Sequence, residues 1–190
     1  QSDLRFVELL NDVRGGRPGA ATLAALNSRL DPSFEPPDDE NWIRLCTHNA
    51  QADAVNRRKM AQLPSRPKDF ICEVEGNFPE NSYPAEQKLS LKPGAQVMFI
   101  RNDSSQASEY YNGKLAVVES VEPELVVKDA EGRHIKVKKL SWENIRYELN
   151  PESKEIEAVV DGVFSQVPLR PAWAITIHKS QGLTFDKVLI

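Results

Sequence analysis

The side chains best suited to chemistry gather near the end of this chain, in the run from Trp173 to Ile190, WAITIHKSQGLTFDKVLI. Thr176, His178, Lys179, Ser180 and Gln181 set hydroxyls, an imidazole, an ammonium and an amide almost side by side. Such a group suits phosphate oxygens and the edges of bases better than a hydrophobic core. Ala174 to Ile177 reads as a short buried strand, Gly182 lets the backbone turn, and Phe185 to Ile190 returns to an apolar run. Polar donors at the carboxyl end of a strand, in an α/β setting, mark where ligand crevices form. Thr176 and His178 lie two apart, so on an extended segment both point the same way. The structural alternative makes them satisfy the turn, with Lys179 an exposed cation and Ser180 a helix cap. A second set, Thr47, His48 and Asn49, ends the apolar run Trp42 to Cys46 and opens a helix, where capping alone explains at least one of them.

The string Thr176-Ile177-His178-Lys179-Ser180-Gln181-Gly182-Leu183-Thr184-Phe185 resembles motif V of superfamily 1 helicases, in the wording of the RecD and Pif-type branch. Phe164 to Leu169 followed by Ala172-Trp173-Ala174 is similar to that family's approach to the motif. Leu91 to Met98 also fits, as does Asn102 followed by Asn112-Gly113. Leu45 to Asn49 with Asn56 looks like motif IV. The resemblance covers most of residues 42 to 190. It implies an ATP-dependent DNA helicase, 5′ to 3′ in polarity, with Thr176 and His178 touching single-stranded DNA and Lys179 and Ser180 meeting its phosphates. It implies strand contact by Thr47, His48 and Asn49 as well, and places Gln181 and Gly182 on the nucleotide side of an interdomain cleft. Many relatives carry a ribose-binding glutamate where Thr184 stands, so ribose recognition is not carried over.

The parts of such a motor that are missing shape the reading. A phosphate-cradling G-x-x-x-x-G-K-[ST] loop needs its glycines and lysine in register. The one Gly-Lys pair, Gly113-Lys114, is followed by Leu115, and Ser108 occupies the first glycine position. Motif VI, with its arginine, would follow motif V, and Gln1-Ser2-Asp3 looks like the tail of motif III. The expectation is a piece of a larger motor: the second RecA-like domain, α/β in class, carrying an inserted small Src-homology-type β-barrel. No catalytic residue and no metal site are assigned to it. ATP and Mg²⁺ belong to the intact protein, as does an N-terminal RecA-like domain, and this piece alone is not expected to hydrolyse ATP.

These motifs need elements to hold them. Residues 1 to 30 read as a helical pair broken at Gly15-Gly16 and reopened at Pro18-Gly19, packing on the sheet that follows. Asp31 to Asn41 is a proline- and acid-rich loop. Trp42 to Cys46 is a strand, and a helix runs from about Ala50 to Met60 with Ala54, Val55 and Met60 inward. Asp69 to Gly76 and Ala95 to Arg101 read as two strands, with a turn at Pro93-Gly94. From Asn112-Gly113, a hairpin or loop signal, short strands follow closely at Leu115–Val121, Leu125–Lys128, His134–Lys138, Ile145–Leu149 and Glu155–Val160. Asp129 to Gly132 and Asn150-Pro151-Glu152 punctuate them. Short, evenly spaced strands suggest a small barrel. The expected division is 1–111 for the helical pair and first part of the α/β domain, 112–168 for the barrel, and 169–190 for the return to the α/β domain.

Composition sets bounds. The 190 residues are 40% hydrophobic and 27% charged, ordinary for a globular chain, with no apolar run long enough to span a bilayer. Cys46 and Cys72, in no metal-type spacing, fit a reducing, cytoplasmic setting, nucleoid-associated if bacterial. The formal net charge of −4 runs against the basic footprint of nucleic-acid binders. Two local basic clusters stand against that mean: Arg57-Arg58-Lys59, and Arg133 with Lys136, Lys138 and Lys139. Trp142, near the second cluster, suits barrel packing or base stacking, and Trp173 suits the core. Two rival readings remain: a protein-binding module whose partner docks on the barrel, and an RNA rather than a DNA substrate. No two of the three histidines fall at ligand spacing, which disfavours a metal-dependent hydrolase.

Overall fold

The computed structural model describes residues 4–37, 40–149 and 154–190; Gln1-Ser2-Asp3 and the Asn150-Pro151-Glu152 turn lie outside them. The chain divides into two compact units after Pro37. The first is the expected helical pair, α1 (Leu4–Arg14) and α2 (Ala20–Asn27). Gly16 at φ +67 ends α1, and the Thr22 hydroxyl donates to Asp12 Oδ2 at 2.6 Å.

The second unit begins with a parallel α/β element. Strand β1 (Ile43–Cys46) leads into α3 (Asn49–Gln62). Helix and sheet meet on a small apolar patch, Cys46 and Ala52 against Ala174, with Val55 beside them. Ala52, rather than the expected Ala54, turns inward; Ala54 is exposed.

The expected single strand 69–76 is two: β2 (Lys68–Ile71) and β3 (Glu73–Gly76), which join different sheets. At the break, Cys72 N–H donates to the Gln87 carbonyl. Strand β4 (Lys88–Leu91), which the sequence reading passes over, pairs antiparallel with β2. Gly94, at φ +86, turns the chain into β5 (Gln96–Phe99).

Strands β6 (Leu115–Ser120), β7 (Val126–Asp129) and β8 (His134–Lys136) follow, then the long pair β9 (Leu140–Leu149) and β10 (Ile156–Gln166). The chain closes with β11 (Leu169–Pro171), β12 (Ala174–Thr176), the single helical turn α4 (Ile177–Ser180) and β13 (Val188–Leu189). The sheets have the orders β12-β1-β13, β3-β10-β9, β11-β5-β6-β7-β8 and β2-β4. This is a mixed α/β fold, and its β sheets are open rather than closed on themselves. The β-rich segment after residue 112 also borrows flanking strands: β5 pairs with β6, and β11 pairs with β5.

Strand β5 is the partition of the fold. All four of its residues are buried. Val97 and Phe99 face the larger core with Leu89, Leu91, Val118, Val127, Ile135 and Leu169, while Met98 turns to the second core with Ile43, Ala172 and Ile175. Burial on both faces explains the near-continuous apolar run there. Two buried amides stitch the layers. Gln96 Nε2 donates to the Trp42 and Ala172 carbonyls at 2.9 and 2.8 Å, and Gln166 Nε2 to the Phe70 and Glu86 carbonyls at 3.0 Å each. Trp142 packs edge-on to Phe164 with the Arg101 guanidinium over its ring at 5.2 Å, and Trp173 lies half-buried against the larger core.

Candidate nucleic-acid interface

The two motif clusters, more than a hundred residues apart in sequence, are brought to one edge by strand pairing. β1 and β12 run parallel with Cys46 opposite Thr176. Their carboxyl ends therefore lie side by side, and Thr47-His48-Asn49 and the turn Ile177–Ser180 leave the sheet together. This is the end of an α/β sheet where ligands bind.

At the first cluster, His48 is the N-cap residue of α3 in extended conformation and makes no side-chain cap bond; its carbonyl instead accepts from the Gln51 and Ala52 amides. Thr47 Oγ1 lies 2.8 Å from His48 Nδ1 and 3.1 Å from Gln51 Oε1. Helix capping by these side chains is thus not what occupies them. All three are exposed, with Asn49 opening the helix.

At the second, the strand ends one residue earlier than the run Ala174 to Ile177 suggests. Thr176 is its last residue, 5% exposed, while His178 belongs to the helical turn and is open to solvent. Thr176 and His178 do not share one face of an extended segment as expected: helical backbone begins between them, so period-two geometry stops at Thr176. Ser180 does not cap that turn either; its hydroxyl donates back to the Ile177 carbonyl at 2.7 Å. Gln181 follows as the C-cap, and Gly182 adopts φ +78 with open space where a Cβ would stand.

Asn56 fastens the two clusters to each other. Its Nδ2 donates to the Ala174 carbonyl and its Oδ1 accepts from the Ala174 amide, both at 2.9 Å. A side chain of the first cluster's helix thereby holds the strand that carries the second.

Beside this edge opens a pocket of about 680 Å³. It is lined by Asn49, Asp53 and Arg57 of α3, by Thr176 and Lys179, by Arg170 of β11 and by Tyr83 to Glu86. Arg170 Nε is buried without a hydrogen-bond partner. Burial depresses Arg170 from its usual range, and burial together with Arg170's charge depresses Lys179. Glu86 is exposed, yet partial burial, then the Asp53 carboxylate, push its carboxyl up against the opposing pull of Arg170 and Lys179. Arg170 is the residue sequence reasoning missed. Its signal was a lone arginine flanked by the apolar residues Leu169 and Pro171 in a short buried strand. Among the described residues, no group of three His, Cys, Asp or Glu side chains is placed to hold a metal ion, and no helix is long and apolar enough to cross a membrane.

No protein-family profile matches the chain. It is 30% identical over 193 residues to the ATP-dependent DNA helicase Pif1 of Bdellovibrio bacteriovorus, covering 97% of this chain and 40% of that protein. With human ATP-dependent DNA helicase PIF1 the identity is 33% over 198 residues, 100% of this chain and 29% of that protein. Among solved structures, unliganded Pif1 from Bacteroides sp. superposes with a TM-score of 0.89 at 36% identity, covering 99% of this chain and 43% of the other. Bacteroides Pif1 bound to ssDNA superposes at 0.72 and 35%, covering 99% and 42%. The chain thus spans between about a third and a half of the proteins it matches. Over nearly its whole length the chain is thus similar, in sequence and in fold, to one part of the Pif1 helicases.

Proposed function

We propose that this chain is the part of an ATP-dependent, 5′ to 3′ DNA helicase that carries a floor for single-stranded DNA and one side of the ATP cleft. The observation that carries this reading is the pairing of β1 with β12, which sets both clusters at the carboxyl ends of adjacent parallel strands. Thr47, His48, Asn49, His178, Lys179 and Ser180 form the floor, with Thr176 at its base. Phosphate contacts of this kind read no sequence and suit a motor that must track any strand. Gln181 and Gly182 face the nucleotide. Gly182, left-handed and open on its Cβ side, allows close backbone approach there. The catalytic loop and the other RecA-like domain belong to the intact motor, and ATP and Mg²⁺ would bind against that domain. The β1-α3-β12 element is taken as the second RecA-like domain, and residues 112–168 as its inserted small β unit, braced on β5 and β11. The ssDNA-bound and nucleotide-analogue-bound Bacteroides Pif1 structures support the choice of ligands.

The test is fluorescence anisotropy of a labelled oligothymidylate titrated with this chain at low salt. His178→Ala and Asn49→Ala are each expected to weaken binding several-fold. Binding unchanged in both variants would reject the floor.

A further inference from the structure

The pocket beside the proposed floor is lined by Arg170 and Glu86, which the floor does not use, as well as by Lys179, which it does. A guanidinium and an ammonium on two different elements, Arg170 on β11 and Lys179 on α4, line one cavity. Like charges gathered in a partly enclosed space repel each other and lose hydration. Such an arrangement persists where an anion repays the cost. Arg170 has one hydrogen-bonding nitrogen, Nε, that is dry and unpaired, an orphan a native structure rarely tolerates without a purpose. Arg57 lines the same pocket, as does Lys88, whose ammonium is already paired with Asp69 at 2.9 Å. Opposing them are Asp53 of α3 and Glu86 of the segment before β4, and neither carboxylate forms a contact ion pair with Arg170 or Lys179 among those the structure records. Asn56 and Ser90 add polar lining, and most of the rest, such as Met60, Tyr83, Pro84, Ile100, Leu169 and Ile175, is apolar surface suited to a sugar or a base. Asn49, Thr176 and Lys179 line the pocket and belong to the floor as well, so the two are continuous.

Resting on the reading of the floor as a single-strand surface, we propose that this pocket seats one phosphodiester group of the bound strand, recognised by Arg170 and Lys179, and that Glu86 is the counter-charge that phosphate displaces. An arginine presents a rigid fork of donors that matches a phosphate's oxygens, and an orphaned Nε completes such a fork. Glu86 then serves the empty state. It partly neutralises the two cations when no strand is present and competes with the phosphate when one arrives. Glu86 is therefore a negative determinant of affinity, and its removal strengthens binding.

The experiment measures oligothymidylate binding by this chain across a sodium chloride series, for the unmodified protein and for Arg170→Gln, Arg170→Lys, Glu86→Gln and His178→Ala, each checked for folding by its melting curve. Arg170→Gln is expected to lose about tenfold in affinity, in keeping with loss of a charged hydrogen bond. It should also flatten the slope of log affinity against log salt by about 0.7, one phosphate's worth for a single strand. Arg170→Lys should keep the slope, and Glu86→Gln should bind several-fold tighter. If His178→Ala weakens binding while Arg170→Gln leaves affinity and slope unchanged, the pocket assignment falls and the floor stands. If neither variant matters, or the unmodified chain does not bind at low salt, both fall. Should Arg170→Gln fail to fold, an unchanged affinity in Glu86→Gln is sufficient to overturn the proposal. Inorganic phosphate competing at micromolar concentration would make the pocket a free-anion site and overturn it as well.

Discussion

Lys114 shows how a residue's meaning depends on what surrounds it. In the sequence it is the lysine of a Gly-Lys pair that fails to make a phosphate loop. In the fold it is a buried cation, its side chain 7% exposed, 2.7 Å from the fully buried carboxylate of Asp129. Burial pushes the Asp129 carboxyl up, but Lys114, then the amide and guanidinium of Arg133, outweigh it and hold the group well below the usual carboxylate range. Removing one partner of a buried pair leaves an uncompensated charge, so Lys114→Met is expected to cost about 3–5 kcal/mol in urea unfolding. The sign of the pH effect follows from the depressed value. The unfolded carboxyl takes up its proton first, so the stabilisation is complete above the ordinary carboxylate range and is lost as pH falls through and below it. Asp129→Asn should flatten stability across that acid window, read by thermal melts from neutral to acid pH. No local pattern could announce this pair, because Lys114 meets Asp129 only once β6 and β7 are aligned. Arg170 had only a faint local signal, its apolar neighbours Leu169 and Pro171, because the pocket that it lines is completed by residues of α3 and the Tyr83–Glu86 segment, far away in the chain.

At the scale of elements, what proved legible was whatever a short window encodes. The strand, polar turn and helix from Ile43 to Gln62 follow from an apolar run and a change of period, and so do the alternating strands from Leu115 onward. Pairing and sheet membership were not legible. The stretch Asp69 to Gly76 has uniform strand composition, yet it crosses between two sheets at Cys72, a choice made by its partners β4 and β10. The barrel expectation came from strand spacing, and spacing carries no register, so it could not say that β5 and β11 would join the sheet. The crossing of β3 and β10 yields a sharp prediction. Gly76 and Gly162 are register partners where β10 is irregular, and a Cβ on Gly162 would stand 2.5 Å from the Asn77 backbone. Backbone cannot give way as a side chain can. Gly162→Ala is expected to loosen this seam, costing about 1–3 kcal/mol by overpacking. Hydrogen exchange of the Glu73–Gly76 amides should speed up, while that of β6 and β7 stays unchanged.

For the whole molecule, the sequence spoke clearly about class and weakly about charge. The net charge of −4 argued against nucleic acid, yet a mean over the chain says nothing of a pocket lined by Arg57, Arg170 and Lys179. Much of the remaining charge is spent in surface pairs such as Lys136 with Glu124 and Arg146 with Glu148. The division after Pro37 predicts a proteolytic pattern. Brief digestion is expected to cut within the turn-rich stretch Asp31–Pro37 and leave a resistant core beginning near Trp42 that keeps its β-sheet circular dichroism; rapid loss of that core would deny the second unit its independence. Finally, Asn56 does more than link two clusters. By spending both ends of its amide on Ala174, it covers that residue's hydrogen-bonding groups on β12, the outermost strand on that side. A bare strand edge invites any extended peptide to add itself. Here a side chain occupies the first residue of the three-stranded parallel sheet's margin at β12, so lateral growth there, whether by another strand of a motor or by misassembly with a second molecule, must first displace it.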